Sequence, residues 1–128
     1  MKAVFKSVWP YKDDALNLPV ASVDAALPYY ERVMGFAIVE RRDTPVKSAV
    51  LERDGIRIGL AENGGDSSQE GCWFEVDSAE AAFAELKANG VGRDDPKFEV
   101  AEQGNRTYKQ FFLIAPDGLC YCLAERIT

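Results

Sequence analysis

Few groups in this chain can do chemistry. None of the 128 residues is histidine, which excludes Ser-His-Asp and Cys-His nucleophile systems along with the usual base at neutral pH. Proton transfer would fall to Glu, Asp, Lys, Tyr or a perturbed Cys. Cys120 and Cys122 stand two residues apart, so on a strand their side chains share one face. With Cys72 nearby they would form a soft metal site; the alternative is that free cysteines pack as small hydrophobes. Three cysteines do not frame a secreted disulfide scaffold. In Trp73-Phe74-Glu75-Val76 the same alternation puts Trp73 and Glu75 on one face. Trp73 offers a rigid stacking surface and one indole N–H, and Glu75 could attract a cation or accept a proton if burial raised its pKa. The alternatives are a structural tryptophan and a solvated carboxylate at a strand edge.

The elements that must hold these groups occur twice. Asp54-Gly55-Ile56-Arg57-Ile58-Gly59-Leu60-Ala61-Glu62 returns with five identities as Asp117-Gly118-Leu119-Cys120-Tyr121-Cys122-Leu123-Ala124-Glu125. The segment 15–27 likewise aligns with 71–83. Two matches in the same order imply a duplicated unit. The first unit opens with a strand from Ala15 to Val20. A helix follows, starting near Asp24 or Ala25, capped by Ser22 or Asp24 and ended by Gly35, with Ala26, Leu27, Tyr30, Val33 and Met34 on its buried face. Pro28 then falls in the first turn, where its missing N–H costs little, or else kinks the helix. Strands follow over Phe36 to Arg41, Lys47 to Arg53 and Ile56 to Glu62, the last two joined by a hairpin at Asp54-Gly55. Polar residues 63–70 form the linker.

The second unit repeats the plan with a strand from Cys72 to Val76 and a helix from Ala79 to Asn89, capped by Ser78, stopped by Gly90 and burying Ala82, Phe83 and Leu86. Arg93 to Arg106, containing Gly104-Asn105, reads as a longer exposed loop or lid. The division is a single domain over 1–128: an N-terminal segment 1–14, a first βαβββ module 15–62, the linker 63–70 and a second module 71–128. Trp9-Pro10-Tyr11 would staple the N-terminal segment to the sheet or close one end of a cavity.

An apolar fraction of 47% with 28% charged residues fits a globular chain and argues against general disorder. The formal charge of -6 disfavours a nucleic-acid partner. Apolar stretches fall short of the roughly 18 residues of a membrane span and the N-terminus lacks a signal peptide, so a cytoplasmic protein without membrane partners is expected.

The order of motifs resembles the vicinal oxygen chelate superfamily, which includes glyoxalase I, extradiol dioxygenases and bleomycin-binding resistance proteins. The resemblance is carried by Tyr29-Tyr30 with Met34-Gly35-Phe36, by Trp73-Phe74-Glu75-Val76 and by Ala115-Pro116-Asp117-Gly118. It implies an α+β fold of two tandem βαβββ modules forming a curved mixed sheet around a cavity, commonly as a homodimer. It also places the metal ligands of the related enzymes at Ala15, Gly59, Gly71 and Cys122. Three of these four residues have no donor side chain, so no metal and no cofactor are expected.

Period-two alternation from those positions sets Asn17, Pro19, Arg57, Trp73, Glu75 and Cys120 on the concave face. Leu16, Leu18, Ile58, Leu60, Phe74, Val76, Tyr121 and Leu123 then fall on the helix side. The expected ligand contacts are Asn17, Arg57, Trp73, Glu75, Cys120 and Cys122, with Arg57 pairing with Glu75 or an anionic ligand group, or lying at a solvated rim. Small residues at Ala15, Gly59 and Gly71 would leave cavity volume, unless neighbouring side chains fill it. The resulting expectation is a metal-independent small-molecule-binding protein of the bleomycin-resistance type, acting by sequestration on a cationic or aromatic ligand. The alternatives are a glyoxalase-like lyase or isomerase with Glu75 as base, a dioxygenase-like enzyme with a non-standard site, and an interaction module whose cavity is filled by Trp73 and its neighbours.

Overall fold

The architecture comes from a computed structural model that describes residues 2–12 and 14–128; positions 1 and 13 of the expected N-terminal segment lie outside it. Among the described residues, nine strands form two mixed sheets and two α-helices accompany them, α+β in class. One sheet runs β1 (Phe5–Pro10), β6 (Gly71–Val76), β9 (Cys120–Arg126), β8 (Arg106–Ile114), β7 (Glu99–Gln103). The other runs β2 (Leu18–Pro19), β5 (Ile56–Ala61), β4 (Ser48–Arg53), β3 (Ala37–Arg42). The duplication is visible in the pairing: the opening strand of each unit lies parallel to the closing one, β2 on β5 and β6 on β9.

Helix α1 (Val23–Arg32) and helix α2 (Ala79–Ala88) begin alike. Ser22 accepts from the Ala25 N–H and Ser78 from the Ala81 N–H, each relieving an orphan donor of the first turn. Since α1 starts at Val23, Pro28 lies in its second turn rather than the first. The turn at Asp54-Gly55 has positive φ at both residues, 52° and 80°, the two-residue hairpin geometry whose twist matches its strands.

Three expectations are corrected. The first-module strand shrinks to Leu18–Pro19 because Asp14 caps a local turn, accepting from the Leu16 N–H through its side chain and from the Asn17 N–H through its carbonyl. Leu16, expected on the helix side, is consequently 53% exposed. Arg93 to Arg106 is not all loop: it includes β7, which pairs antiparallel with β8 across a tight turn at Gly104-Asn105. The N-terminal segment also contains a strand that the repeat did not announce, β1, antiparallel to β6.

Both modules feed one core. Leu18, Tyr30, Leu51 and Ile58 from the first meet Phe74, Phe111, Tyr121 and Leu123 from the second, all buried. Arg53 at the end of β4 reaches Glu85 of α2, donating from two nitrogens at 2.7 Å each. Among the described residues, no helix is long and apolar enough to cross a membrane.

Candidate functional site

Strand register lays out the outer face of the five-stranded sheet as a grid. One row reads Trp9, Trp73, Cys122, Phe112 across β1, β6, β9 and β8. The next reads Ser7, Glu75, Ala124, Gln110, Glu99, ending on β7. The central strand β9 carries small side chains here while its neighbours carry large ones. Trp73 and Tyr108 therefore lean inward from opposite sides and meet edge to face, centroids 5.1 Å apart, over the buried Cys122 and Ala124. This geometry favours the ring quadrupoles.

Above this floor lies a cavity of about 720 Å³. Ser7, Trp9 and Tyr11 supply one wall, Gln110 and Phe112 the opposite one, and Arg106 stands at the β7–β8 turn. The size suits a drug-sized organic ligand. Trp9 is 62% exposed at the mouth. A second hollow of about 910 Å³ lies among the charged residues of segment 93–99 and Phe112 to Ile114. No buried unpaired side-chain atom among the described residues lines it.

The thiol and the phenol at the cavity are held in their uncharged forms. Burial, with smaller contributions from Cys120 and Glu99, pushes the Cys122 thiol up to about 12. Burial also raises the Tyr11 phenol, reinforced by the neighbouring Cys120 and Cys122. Two polar atoms are buried without a hydrogen-bond partner among the described residues, Trp73 Nε1 and Gln110 Oε1.

The structure brings together three of the six expected contact residues: Trp73, Glu75 and Cys122 line this cavity. Cys120 is half-buried next to it, beside Tyr11. Arg57 and Asn17 lie elsewhere, with the four-stranded sheet. Arg57 donates to Glu52 at 2.8 Å and so does not pair with Glu75, while Asn17 accepts from Asn63 through both its oxygens at 3.1 Å. Sequence reasoning missed Ser7, Tyr108, Gln110 and Phe112. Alternation in Tyr108, Gln110, Phe112 was a usable signal, but placing it needed the β8–β9 register.

The positions at which the resemblance sets metal ligands can be tested directly. A Cβ on Gly59 would lie 2.2 Å from the Leu16 carbonyl oxygen, and one on Gly71 only 1.7 Å from that of Cys120. These glycines admit a neighbouring backbone; they do not leave cavity volume, contrary to expectation. With Ala15 lacking a donor side chain and the Cys122 thiol held protonated, the set does not fit a divalent metal.

Two mixed sheets built from a repeated βαβββ plan, with an aromatic cavity on one outer face, define a paired-module protein with a ligand-sized site. Residues 14–113 match the Glyoxalase/Bleomycin resistance protein/Dioxygenase superfamily, and the chain belongs to it. No curated protein matches the sequence. Among solved structures, a protein from the mobile metagenome of V. pseudocholerae is similar at 21% identity, with 91% of this chain and 95% of that one covered and a TM-score of 0.66. A bleomycin resistance determinant encoded on transposon Tn5 is 22% identical over 91% and 99% of the two chains, TM-score 0.63. A bleomycin-binding protein complexed with bleomycin is 24% identical over 89% and 98%, TM-score 0.60. At these identities the likeness establishes the fold.

Proposed function

We propose that this protein is a metal-independent small-molecule binder of the sequestration or resistance type, acting without a cofactor, in the cytoplasm and as a homodimer. The observation that carries the reading is the cavity over the five-stranded sheet, walled by Trp9, Tyr11, Trp73, Tyr108 and Phe112. Such walls desolvate and stack a flat organic body. Sequestration needs burial, not chemistry, and neither a histidine nor a metal-competent donor set is required for it. The net charge of -6 favours an uncharged or cationic ligand over an anion. In a homodimer the second copy would cover apolar groups on this face that are exposed in the single chain, among them Trp9 at 62% and Ile114 at 68% exposed.

A thermal-shift screen with divalent metals and aromatic organic compounds, with and without EDTA, tests the reading. Ligand at about a thousand times its dissociation constant stabilises the folded state by roughly 4 kcal/mol. The expected result is stabilisation by an organic compound, unaffected by EDTA and lost in Trp73→Ala. Stabilisation by Ni, Zn, Fe or Mn that EDTA reverses would refute metal independence. Light scattering on a sizing column checks the homodimer, and a monomer at micromolar concentration would remove it.

A further inference from the structure

The chain contains two Asn-Gly steps, Asn63-Gly64 at the head of the linker and Asn89-Gly90 at the end of α2, and the structure treats them oppositely. At such a step the glycine nitrogen can attack the asparagine Cγ from within the chain. The two atoms are only a few bonds apart, and glycine has no side chain in the way. In a folded chain the attack needs a nitrogen free of hydrogen bonds and is helped by a donor on the side-chain carbonyl.

At Asn89 neither condition is met. The Gly90 N–H donates to the Lys87 carbonyl at 3.1 Å, and the Asn89 N–H is tied to the Glu85 carbonyl at 3.0 Å. The Asn89 Nδ2 donates to the Val33 carbonyl, so attack there requires the end of α2 to open. At Asn63 both conditions are met. The step is exposed, the Gly64 N–H has no backbone partner among the described residues, and nothing lies within 4 Å of a Cβ built on Gly64. The Gly65 N–H donates to Asn63 Oδ1 at 2.9 Å. A donor therefore already faces the oxygen that gains negative charge as the nitrogen adds. The Asn63 amide nitrogen is also a clamp. It donates at 3.1 Å to both the carbonyl and the side-chain oxygen of Asn17, fastening the linker to the residue ahead of β2.

We propose that Asn63 is a self-modification site that releases this clamp. The Gly64 nitrogen gives its proton to water and bonds to Asn63 Cγ, the Cγ–Nδ2 bond breaks and ammonia leaves, and water then opens the ring to aspartate or isoaspartate. Neither product has a donor for Asn17, and in the aspartate form a carboxylate faces two oxygens. The linker comes away from the first module, on the opposite sheet from the cavity.

The purified protein is aged at pH 8, native and in urea, and peptide mass spectrometry follows amide-to-acid conversion at both steps. In the native protein Asn63 should convert at least about tenfold faster than Asn89, which must first give up the Gly90 hydrogen bond. In urea the ratio should fall to near one. Equal native rates, a ratio that persists in urea, or no native conversion at Asn63 while the unfolded chain converts overturns the proposal. Hydrogen exchange of Asn63→Asp reads the clamp. Exchange should quicken at the N–H groups of Val20 and Gly59, which donate to Ala61 and Ala15, and stay unchanged in β6. Unchanged exchange at Val20 and Gly59 overturns the release of the clamp.

Discussion

The Tyr30 hydroxyl joins the two modules, donating to Asp117 at 2.8 Å and lying 2.6 Å from the hydroxyl of Tyr121. With its own hydrogen committed to Asp117, Tyr30 accepts from Tyr121. Burial holds the Asp117 carboxyl above the ordinary aspartate value, outweighing the hydrogen bonds from the Leu119 N–H and Tyr30 that lower it. A raised folded-state pKa contributes stability that is present below the unfolded value and lost as pH rises through the folded one. Asp117→Asn removes this term, so the stability of the variant relative to wild type should increase between pH 4 and pH 7, as read from urea midpoints at the two pH values; a decrease would contradict the sign. The thiols give a second test. Burial pushes both Cys72 and Cys122 up to about 12, so iodoacetamide at pH 8 should leave both unmodified in the native protein, as peptide mass spectrometry would show. In the sequence, Tyr30 was legible as a core residue and Asp117 as the counterpart of Asp54. Their pairing was not, because it depends on α1 meeting β9 across the module junction.

At the scale of elements, the two glycines against neighbouring backbone set how closely strand and turn approach. The Gly59 N–H donates to the Ala15 carbonyl at 2.8 Å, and Leu16 follows where a Cβ on Gly59 would stand. Gly71, at φ 153°, faces Cys120 across the β6–β9 register. Gly59→Ala and Gly71→Ala should each cost about 2–4 kcal/mol or abolish folding, whereas Gly55→Ala, with nothing within 4 Å of its Cβ, should cost less and only through its positive φ. Chemical denaturation of the three variants checks the order. Both helices, the β4–β5 hairpin and β6 were legible because capping serines, Asp-Gly and period-two alternation are local signals. The strand β1 was not, since Phe5–Pro10 lies outside the repeat and its partner β6 is distant in sequence. The β7–β8 hairpin was obscured because charged residues on an exposed edge strand have the composition of a loop.

Across the whole molecule, one buried cation ties the parts together. Arg53, 8% exposed, donates to Glu85 on α2, to the Met34 carbonyl after α1 and to the Ala3 carbonyl ahead of β1. Glu85→Ala removes the two-pronged partner of that charge and leaves it only Asp54, 3.5 Å from Nε, and should cost about 3 kcal/mol. The double variant Arg53→Met with Glu85→Leu should be at least about 1 kcal/mol more stable than the two single losses predict; strict additivity in a denaturation cycle would show that the pair is not coupled. The duplicated fold was readable because the repeat spans both modules. The cavity was readable only in part, because its walls come from β1, β6, β8 and β9 together. That distribution also bears on synthesis. The β1 wall leaves the ribosome early, but the strand it pairs with and the opposite wall emerge only with the second module. A nascent chain carries Trp9 without a site for most of its translation, and ligand cannot guide the early steps of its folding. The cavity is complete only once β9 is, so on the function proposed above a message cut short before that strand yields a protein without a site rather than a weaker binder.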